Sequence, residues 1–289
     1  MVYLLLSIFC NTAIYIIFKW FELKTVKVLP ALVVNYLTAF LIGLIVVPDL
    51  SLALKGASEL PLWVLGGCAL GIFFISVFYL VALSTQHAGV SVTTIASKIS
   101  LALAAILFVV VDPGEFMTVS KAIAIVLALA GVVCASIKKD GRAFTLRSLG
   151  GPLLILLGCT VVDFGIAHFS VYPQNESELA LYSCLSFGTA GVGGMIVLVY
   201  KVAYQKFAIR SKDVIAGFLL GIVNYGSIYF LVKAYDSQLL PKSAMLPINN
   251  LGVVLLGSLG AILLFREKLS TINIAGIALS IIAMVLLAT

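Results

Sequence analysis

The chain has 289 residues, of which 62% are hydrophobic and only 10% charged, and its formal net charge is +6. Soluble domains are about half apolar and about a quarter charged, so this composition excludes an ordinary soluble globular protein. The apolar residues fall in runs of about twenty, enough for a helix to cross a hydrocarbon core of roughly 30 Å. Backbone polar groups in lipid must be paired within the segment, so the runs predict helices.

Ten membrane-spanning helices are predicted along the chain. They cover residues 2–18, 30–47, 61–83, 89–111, 118–137, 150–169, 179–200, 213–234, 240–264 and 270–288. We interpret the first as a spanning helix rather than a cleavable signal, because no Lys or Arg precedes it. The five cysteines lie in apolar runs without C-x-x-C spacing, which predicts packing residues rather than disulfides or metal ligands.

The second half of the chain resembles the first at an offset of about 150 residues. The match includes two glycine pairs that would let helices approach closely: Gly67 with Gly71, and Gly217 with Gly221. We therefore expect two five-helix repeats, residues 1–140 and 148–289, within one integral membrane domain. Because five is an odd number, repeats joined in sequence take opposite orientations in the bilayer.

The loop charges predict the orientation of the chain. Loops after odd-numbered spans hold thirteen Lys or Arg residues, whereas loops after even-numbered spans hold three. The positive-inside rule then makes the basic loops cytoplasmic and places both termini outside, in a bacterial inner membrane. Topology and anionic lipid headgroups account for these cations, so we expect the lipid bilayer as a partner and no nucleic acid.

The closing part of the second repeat is similar to an EamA-type repeat of the drug/metabolite transporter superfamily. The similarity rests on three stretches: 247–257, which begins with Pro247; Phe265–Ser270, which contains Glu267; and 274–279, which contains Gly276. The first repeat has a weaker copy, with Glu115 and Gly131 retained and Ser97 in the place of the proline. The resemblance implies ten helices in two inverted halves, a central cavity and transport of small solutes. It also implies cytoplasmic termini in several relatives, opposite to the loop charges here.

Polar side chains at one depth in several spans predict the position of a solute site. Measured from the span starts at 1.5 Å per residue, five of them lie roughly 14–20 Å along their helices. They are Asn11, Lys98, Asp163, Asn224 and Asn249. Apolar helices have no reason to converge on this pattern without a polar centre.

Lys98 and Asp163 are the charged members of this set. A Lys near the bilayer centre costs about 2.5–3.5 kcal/mol, so Lys98 should face a cavity or a counter-ion. Thr94 lies one turn away on the same face. Lys98 is interpreted as binding a substrate carboxylate or phosphate, or as pairing with Asp163 to hold two helices together. Asp163 is alternatively a group that couples transport to a proton.

Other candidate substrate-binding residues follow from helix periodicity. Tyr15 lies one turn from Asn11, and Tyr229 lies on the polar stripe of the eighth span. Pro247 removes an intrahelical hydrogen bond and is expected to break the ninth helix beside Asn249 and Asn250. The alternative is a tolerated kink, with the amides bonding neighbouring helices.

The sequence carries no catalytic signature and no phosphate-binding loop, so we expect neither an enzyme nor an ATP-driven pump. It predicts a secondary transporter, an alternating-access carrier that exports a small polar or amphipathic metabolite such as an amino acid. No cofactor or metal is expected, and coupling to a proton or another ion stays open, as does the oligomeric state, a monomer included. The alternatives are an intramembrane enzyme acting on a lipid and a non-transporting scaffold.

Overall fold

The computed structural model describes residues 2–100, 102–104, 107, 117–136, 146–169, 172–205, 207–236, 242–267 and 269–288. All regular secondary structure within these ranges is helical. The helices are α1 (Val2–Leu23), α2 (Val28–Val46), α3 (Leu50–Ala57), α4 (Leu62–Ala88), α5 (Val90–Lys98), α6 (Val119–Ser136), α7 (Leu146–Phe169), α8 (Glu176–Gln205), α9 (Ser211–Asp236), α10 (Lys242–Phe265) and α11 (Thr271–Ala288). Residues 108–111 of the fourth predicted span and Glu115 lie outside the described residues.

Within the described residues, apolar helical segments overlap the predicted spans. Six are long and apolar enough to cross a membrane, namely Val2–Leu23, Val28–Val46, Leu62–Ala88, Glu176–Gln205, Ser211–Leu231 and Ile248–Phe265. Four are shorter, namely Val92–Ala104, Val119–Gly131, Gly150–Ile166 and Thr271–Leu286. Length and composition thus confirm the predicted all-helical fold with several membrane-spanning helices.

Large apolar side chains point outward along these helices. Ile45 is 84% exposed, Phe9 66% and Leu263 67%. Soluble proteins rarely present apolar patches of more than a few hundred Å² to water. A lipid environment accounts for this surface, because acyl chains are as apolar as the side chains that they contact.

The chain divides into two compact units that differ from the predicted division at residues 140–148. The first unit comprises Met1–Trp20, Leu80–Phe164 and Gly226–Thr289, and the second comprises Phe21–Tyr79 and Gly165–Tyr225. Each unit combines helices from both halves of the sequence. The reason is that helices of one half pack against helices of the other, α2 on α8 in the second unit and α5 on α10 in the first.

Glycines set the helix packing of the second unit. A Cβ atom added at Gly71 of α4 would lie 2.5 Å from the Ser186 carbonyl oxygen of α8, and one added at Gly221 of α9 would lie 2.7 Å from the Asn35 carbonyl oxygen of α2. The preceding glycines approach the same partners one turn earlier: Gly67 faces the carbonyl of Tyr182, and Gly217 that of Ala31. The close approach predicted from both glycine pairs is confirmed.

In the first unit, α1 packs along α10 through two glycines of α10. A Cβ atom at Gly252 would lie 2.6 Å from Ile8, and one at Gly260 would lie 3.3 Å from Ile16. The partners advance by eight residues in the same direction on both helices, so α1 and α10 run parallel.

The short helix α3 was not predicted, since its segment was interpreted as a linker. Asp49 caps its N-terminus by accepting a hydrogen bond from the Leu52 amide at 3.0 Å. That bond lowers the pKa of the Asp49 carboxyl, which lies outside the membrane-spanning helices. Leu52 and Leu54 are about half exposed whereas Ala53 is buried, so α3 is amphipathic.

Candidate functional site

Lys98 ends α5 and reaches α1 in the first unit. Its ammonium donates a hydrogen bond to Asn11 Oδ1 at 3.3 Å. Asn11 in turn donates from Nδ2 to the Ser7 carbonyl one turn earlier, at 3.2 Å. The Asn11 amide is thereby fixed with its oxygen towards Lys98, and it supplies the neutral acceptor that a buried ammonium requires.

Asp163 lies on α7 in the same unit, and its Oδ2 is hydrogen-bonded to Ser100 Oγ. Ser100 is completely buried. Its backbone carbonyl accepts from Thr160 Oγ1 at 3.4 Å, which joins α7 to the segment after α5. These contacts hold the Asp163 carboxyl against the backbone that carries Lys98.

Lys98 and Asp163 do not form a direct ion pair, although their charges are close enough to interact. Lys98 bonds an amide and Asp163 bonds a hydroxyl. Protein atoms surround the ammonium of Lys98 and the carboxyl of Asp163, yet part of the surface of each residue remains exposed. Two opposite charges that are held near each other but unpaired leave donors and acceptors for a third partner.

Tyr15 of α1 and Ser97 of α5 form a second polar contact beside this pair. Their hydroxyl oxygens are 2.6 Å apart, and both residues are buried. Ser97 also donates to the Thr94 carbonyl at 3.1 Å. Tyr15 therefore helps to fix the end of α5 that carries Lys98, as its predicted place in the site requires.

Thr94 is turned away from Lys98 by its own hydrogen bond. Its hydroxyl donates to the Val90 carbonyl at 2.7 Å, and its side chain packs 3.0 Å from the position of a Cβ atom at Gly257 of α10. Thr94 is fully buried. It thus forms part of the contact between α5 and α10, and the structure shows no solute-facing role for it.

Asn249 and Asn250 of α10 are both buried, at 1% and 4% exposure. Among the described residues, none is hydrogen-bonded to the Oδ1 atom of Asn249, although buried amide oxygens usually have a partner. Helix α10 continues from Lys242 to Phe265 through Pro247, where a break was expected. A proline near the start of a helix is accommodated because little of the hydrogen-bond ladder precedes it.

The remaining predicted site residues have other surroundings. Asn224 belongs to the second unit, where its amide donates to Asn35 Oδ1 at 3.2 Å. Tyr229 belongs to the first unit, and its ring meets Phe230 edge-on with centroids 5.5 Å apart. The structure therefore brings together Asn11, Tyr15, Lys98 and Asp163 in the first unit.

Three residues of the site were not predicted as solute contacts. Ser97 and Ser100 flank Lys98 in sequence, and Cys159 lies one turn before Asp163 on α7, within the field of both charges. Helical spacing from Asp163 would have found Cys159, since positions four apart share a face. Ser97 and Ser100 lie one and two positions from Lys98, so helical spacing gives no such signal for them. In the described part of the chain, no group of three or more His, Cys, Asp or Glu is arranged to hold a metal ion.

Comparison with known proteins supports the fold and does not indicate a function. No family model matches the chain. An uncharacterized protein of Haemophilus influenzae is 25% identical over 292 residues, which cover 97% of this chain and 95% of that protein. A crystal structure of a protein at 14% identity covers 99% of this chain and 94% of its own, with a TM-score of 0.58. The chain thus shares its fold, over nearly its whole length, with a protein of solved structure.

Proposed function

We propose that this protein is a secondary transporter, an alternating-access carrier that exports a small polar or amphipathic metabolite such as an amino acid. The observation that carries the proposal is the arrangement of Lys98 and Asp163. A basic and an acidic side chain lie near each other inside an apolar helical protein, and each is bonded to a neutral group rather than to the other. Intramembrane charges commonly mark solute or ion pathways.

A purely structural role for Lys98 fits this arrangement less well. A Lys near the bilayer centre costs about 2.5–3.5 kcal/mol, and a direct ion pair would offset part of that cost. Here Lys98 uses one donor, to Asn11, of the three that an ammonium has. The remaining donors and the partial exposure of Lys98 favour a site that a solute carboxylate or phosphate completes.

An inverted repeat is supported by the mirrored glycine contacts. Gly71 faces Ser186, and Gly221 faces Asn35. The two glycines are 150 positions apart (221 − 71), and their partners are 151 positions apart (186 − 35). Exchanging the two halves of the sequence therefore converts one contact into the other. A two-fold relation between the repeats requires this exchange. We propose ten spans in two inverted halves on this basis, as in the drug/metabolite transporters that the sequence resembles.

Contacts between basic loops support the proposed topology. In the second unit, Lys27 Nζ donates to the Ala208 carbonyl at 2.6 Å, and Lys212 Nζ donates to Thr25 Oγ1 at 2.7 Å. The loop after the first span and the loop after the seventh therefore lie at one face. Their shared positive charge favours the cytoplasmic side, with both termini outside.

The proposal is tested with purified protein in proteoliposomes. Thermal stabilisation by amino acids, sugar phosphates, nucleosides and organic cations would first select a solute, and counterflow of that labelled solute would then be measured. Lys98→Ala should abolish movement of an anionic or zwitterionic solute, and Lys55→Ala, at an exposed lysine of α3, should leave it unchanged. Normal transport by Lys98→Ala with reduced thermal stability would assign Lys98 a structural role and refute the proposed site.

Two other functions predict different results in the same vesicles. An intramembrane enzyme would convert a lipid chemically without moving solute. A non-transporting scaffold would have no hydrated cavity, so cysteines introduced at positions 98 and 249 would resist a membrane-impermeant thiol reagent. A carrier should allow labelling at both positions from the side to which the site is open.

A further inference from the structure

The Ser100 hydroxyl faces two acceptors at hydrogen-bond distance. Its oxygen lies 2.6 Å from the Ser97 carbonyl, three residues earlier. The same oxygen contacts Asp163 Oδ2 on α7. Ser100 is fully buried, and the three oxygens form a chain from the Ser97 backbone to the Asp163 carboxyl.

A serine hydroxyl has one proton to donate and lone pairs to accept with. If Asp163 were ionised, both neighbours of Ser100 would be acceptors only, and one of the two short oxygen contacts would have no proton between its atoms. If Asp163 carries a proton, every contact is satisfied. The carboxyl O–H then donates to Ser100 Oγ, and Ser100 donates to the Ser97 carbonyl.

We propose that Asp163 is the proton-carrying group of the transporter and that it is protonated in the conformation described here, through its hydrogen bond to Ser100. This inference rests on the proposed carrier function and specifies its coupling ion. A proton from water on one side of the membrane binds the carboxylate to give the neutral acid. It leaves as a proton on the other side when the site has changed its exposure.

The groups that face Asp163 explain how a solute would be coupled to this proton. They are Lys98 from α5, Tyr15 from α1 and Cys159 on its own helix α7. With Asp163 neutral, Lys98 is the uncompensated charge among them, and it has only the Asn11 amide as a described partner. A solute anion is then bound most favourably when the proton is present, and by reciprocity anion binding favours the proton. The pair therefore predicts that an anionic group and a proton move together, outward when the solute is more concentrated inside the cell.

Infrared difference spectroscopy of the protein in lipid tests the protonation without a known solute. Wild-type protein at neutral pH should show the C=O stretching band of a protonated carboxylic acid, and Asp163→Asn should lose it. Asparagine keeps a donor to Ser100 Oγ, so this variant should fold normally. Asp49→Asn, at the exposed cap of α3, should retain the band. Ser100→Ala should keep the band but shift its frequency, because the acid loses its hydrogen-bond partner.

A second measurement separates the coupling from transport itself. With the solute selected by thermal stabilisation, a gradient of one pH unit should concentrate it about tenfold if one proton moves with each molecule. Any flux that Asp163→Asn keeps should no longer respond to the pH gradient, whereas Asp49→Asn should accumulate the solute as the wild type does. Absence of the band from wild-type protein, or unchanged proton-driven accumulation by Asp163→Asn, would overturn the proposal. A band in a protein that moves no solute would instead refute the carrier function and leave the protonation of Asp163 standing.

Discussion

The Lys98 ammonium donates to Asn11 Oδ1 at 3.3 Å while Asp163, the acid whose charge it feels, bonds Ser100 instead. An amide is a weaker partner for a buried ammonium than a carboxylate. The positive charge of Lys98 is therefore only partly neutralised within the site. Binding of an anionic solute group requires such a charge. A permanent counter-ion at this position would remove that capacity.

Asn11→Asp places such a counter-ion beside Lys98. The new carboxylate should pair with the ammonium and compete with a solute anion, lowering transport of an anionic solute about tenfold or more, which corresponds to about 1.4 kcal/mol or more. The thermal midpoint should stay equal or rise, because the buried charge gains a partner. Initial flux and thermal unfolding of the same preparations check both parts. Wild-type flux in Asn11→Asp would show that Lys98 does not contact the solute.

Close packing at Gly71 and Gly221 predicts matched losses of stability. Alanine at either position would bring a methyl group to 2.5–2.7 Å from a backbone carbonyl oxygen of the neighbouring helix. Overpacking of this kind typically costs about 1–3 kcal/mol. Thermal or denaturant unfolding in detergent should show similar losses for Gly71→Ala and Gly221→Ala, because their contacts are mirrored.

Gly193→Ala provides the control for that pair. Gly193 lies on α8, and nothing lies within 4 Å of its added Cβ atom. In a helix interior, alanine is favoured over glycine by about 1 kcal/mol, so this variant should be as stable as the wild type or more stable. Equal destabilisation by all three substitutions would contradict the assigned packing.

The fold was largely predictable because one physical requirement dominates it. A helix that crosses lipid needs an apolar run of fixed length, and the observed bounds of α2 and α4 differ from the predicted ones by a few residues. The eight residues of α3 carry too short a signal for that rule, and only the Asp49 cap indicated a helix there. The two compact units were not predictable from the sequence repeats. They depend on which helices of the first half of the sequence pack against which helices of the second half.

The site was predictable in its charges but not in its pairing. Depth along the helix identified Lys98 and Asp163, since an intramembrane charge is conspicuous in any sequence. Depth cannot distinguish helix faces, so Asn224 was grouped with them, although it bonds Asn35. Thr94 was included because it lies one turn from Lys98, and its hydroxyl bonds its own helix. Ser100 was overlooked because serine is common in helices, and its importance comes only from the neighbour that α7 supplies.

Glu267 is predicted to stabilise the helix that carries Lys98. Its carboxylate accepts from the Val90 amide at the start of α5, at 2.8 Å, and it lies against Gly89, whose φ of 100° places it in the left-handed region. Glu267→Ala should cost about 1 kcal/mol, the usual value of an N-cap. Glu267→Gln keeps an acceptor and should cost less. Thermal unfolding measures both, and equal losses for the two variants would show that charge rather than the cap matters.

Asn249 and Asn224 should respond in opposite ways to the same substitution. Both are buried amides, but Asn249 Oδ1 has no partner whereas Asn224 donates to Asn35 at 3.2 Å. Asn224→Leu leaves the Asn35 oxygen without this donor and should destabilise the protein by about 1–3 kcal/mol.

Asn249→Leu removes a buried acceptor that is already unsatisfied, so stability should be unchanged or increased. If the free oxygen serves the solute, the same variant should weaken solute binding, since a polar group that completes a solute contact has been replaced by an apolar one. Thermal unfolding with and without the selected solute separates the two effects. Loss of stability together with unaltered solute binding would mean that the Asn249 amide holds helices together. The solute site would then be confined to Lys98, Asp163 and their neighbours on α1.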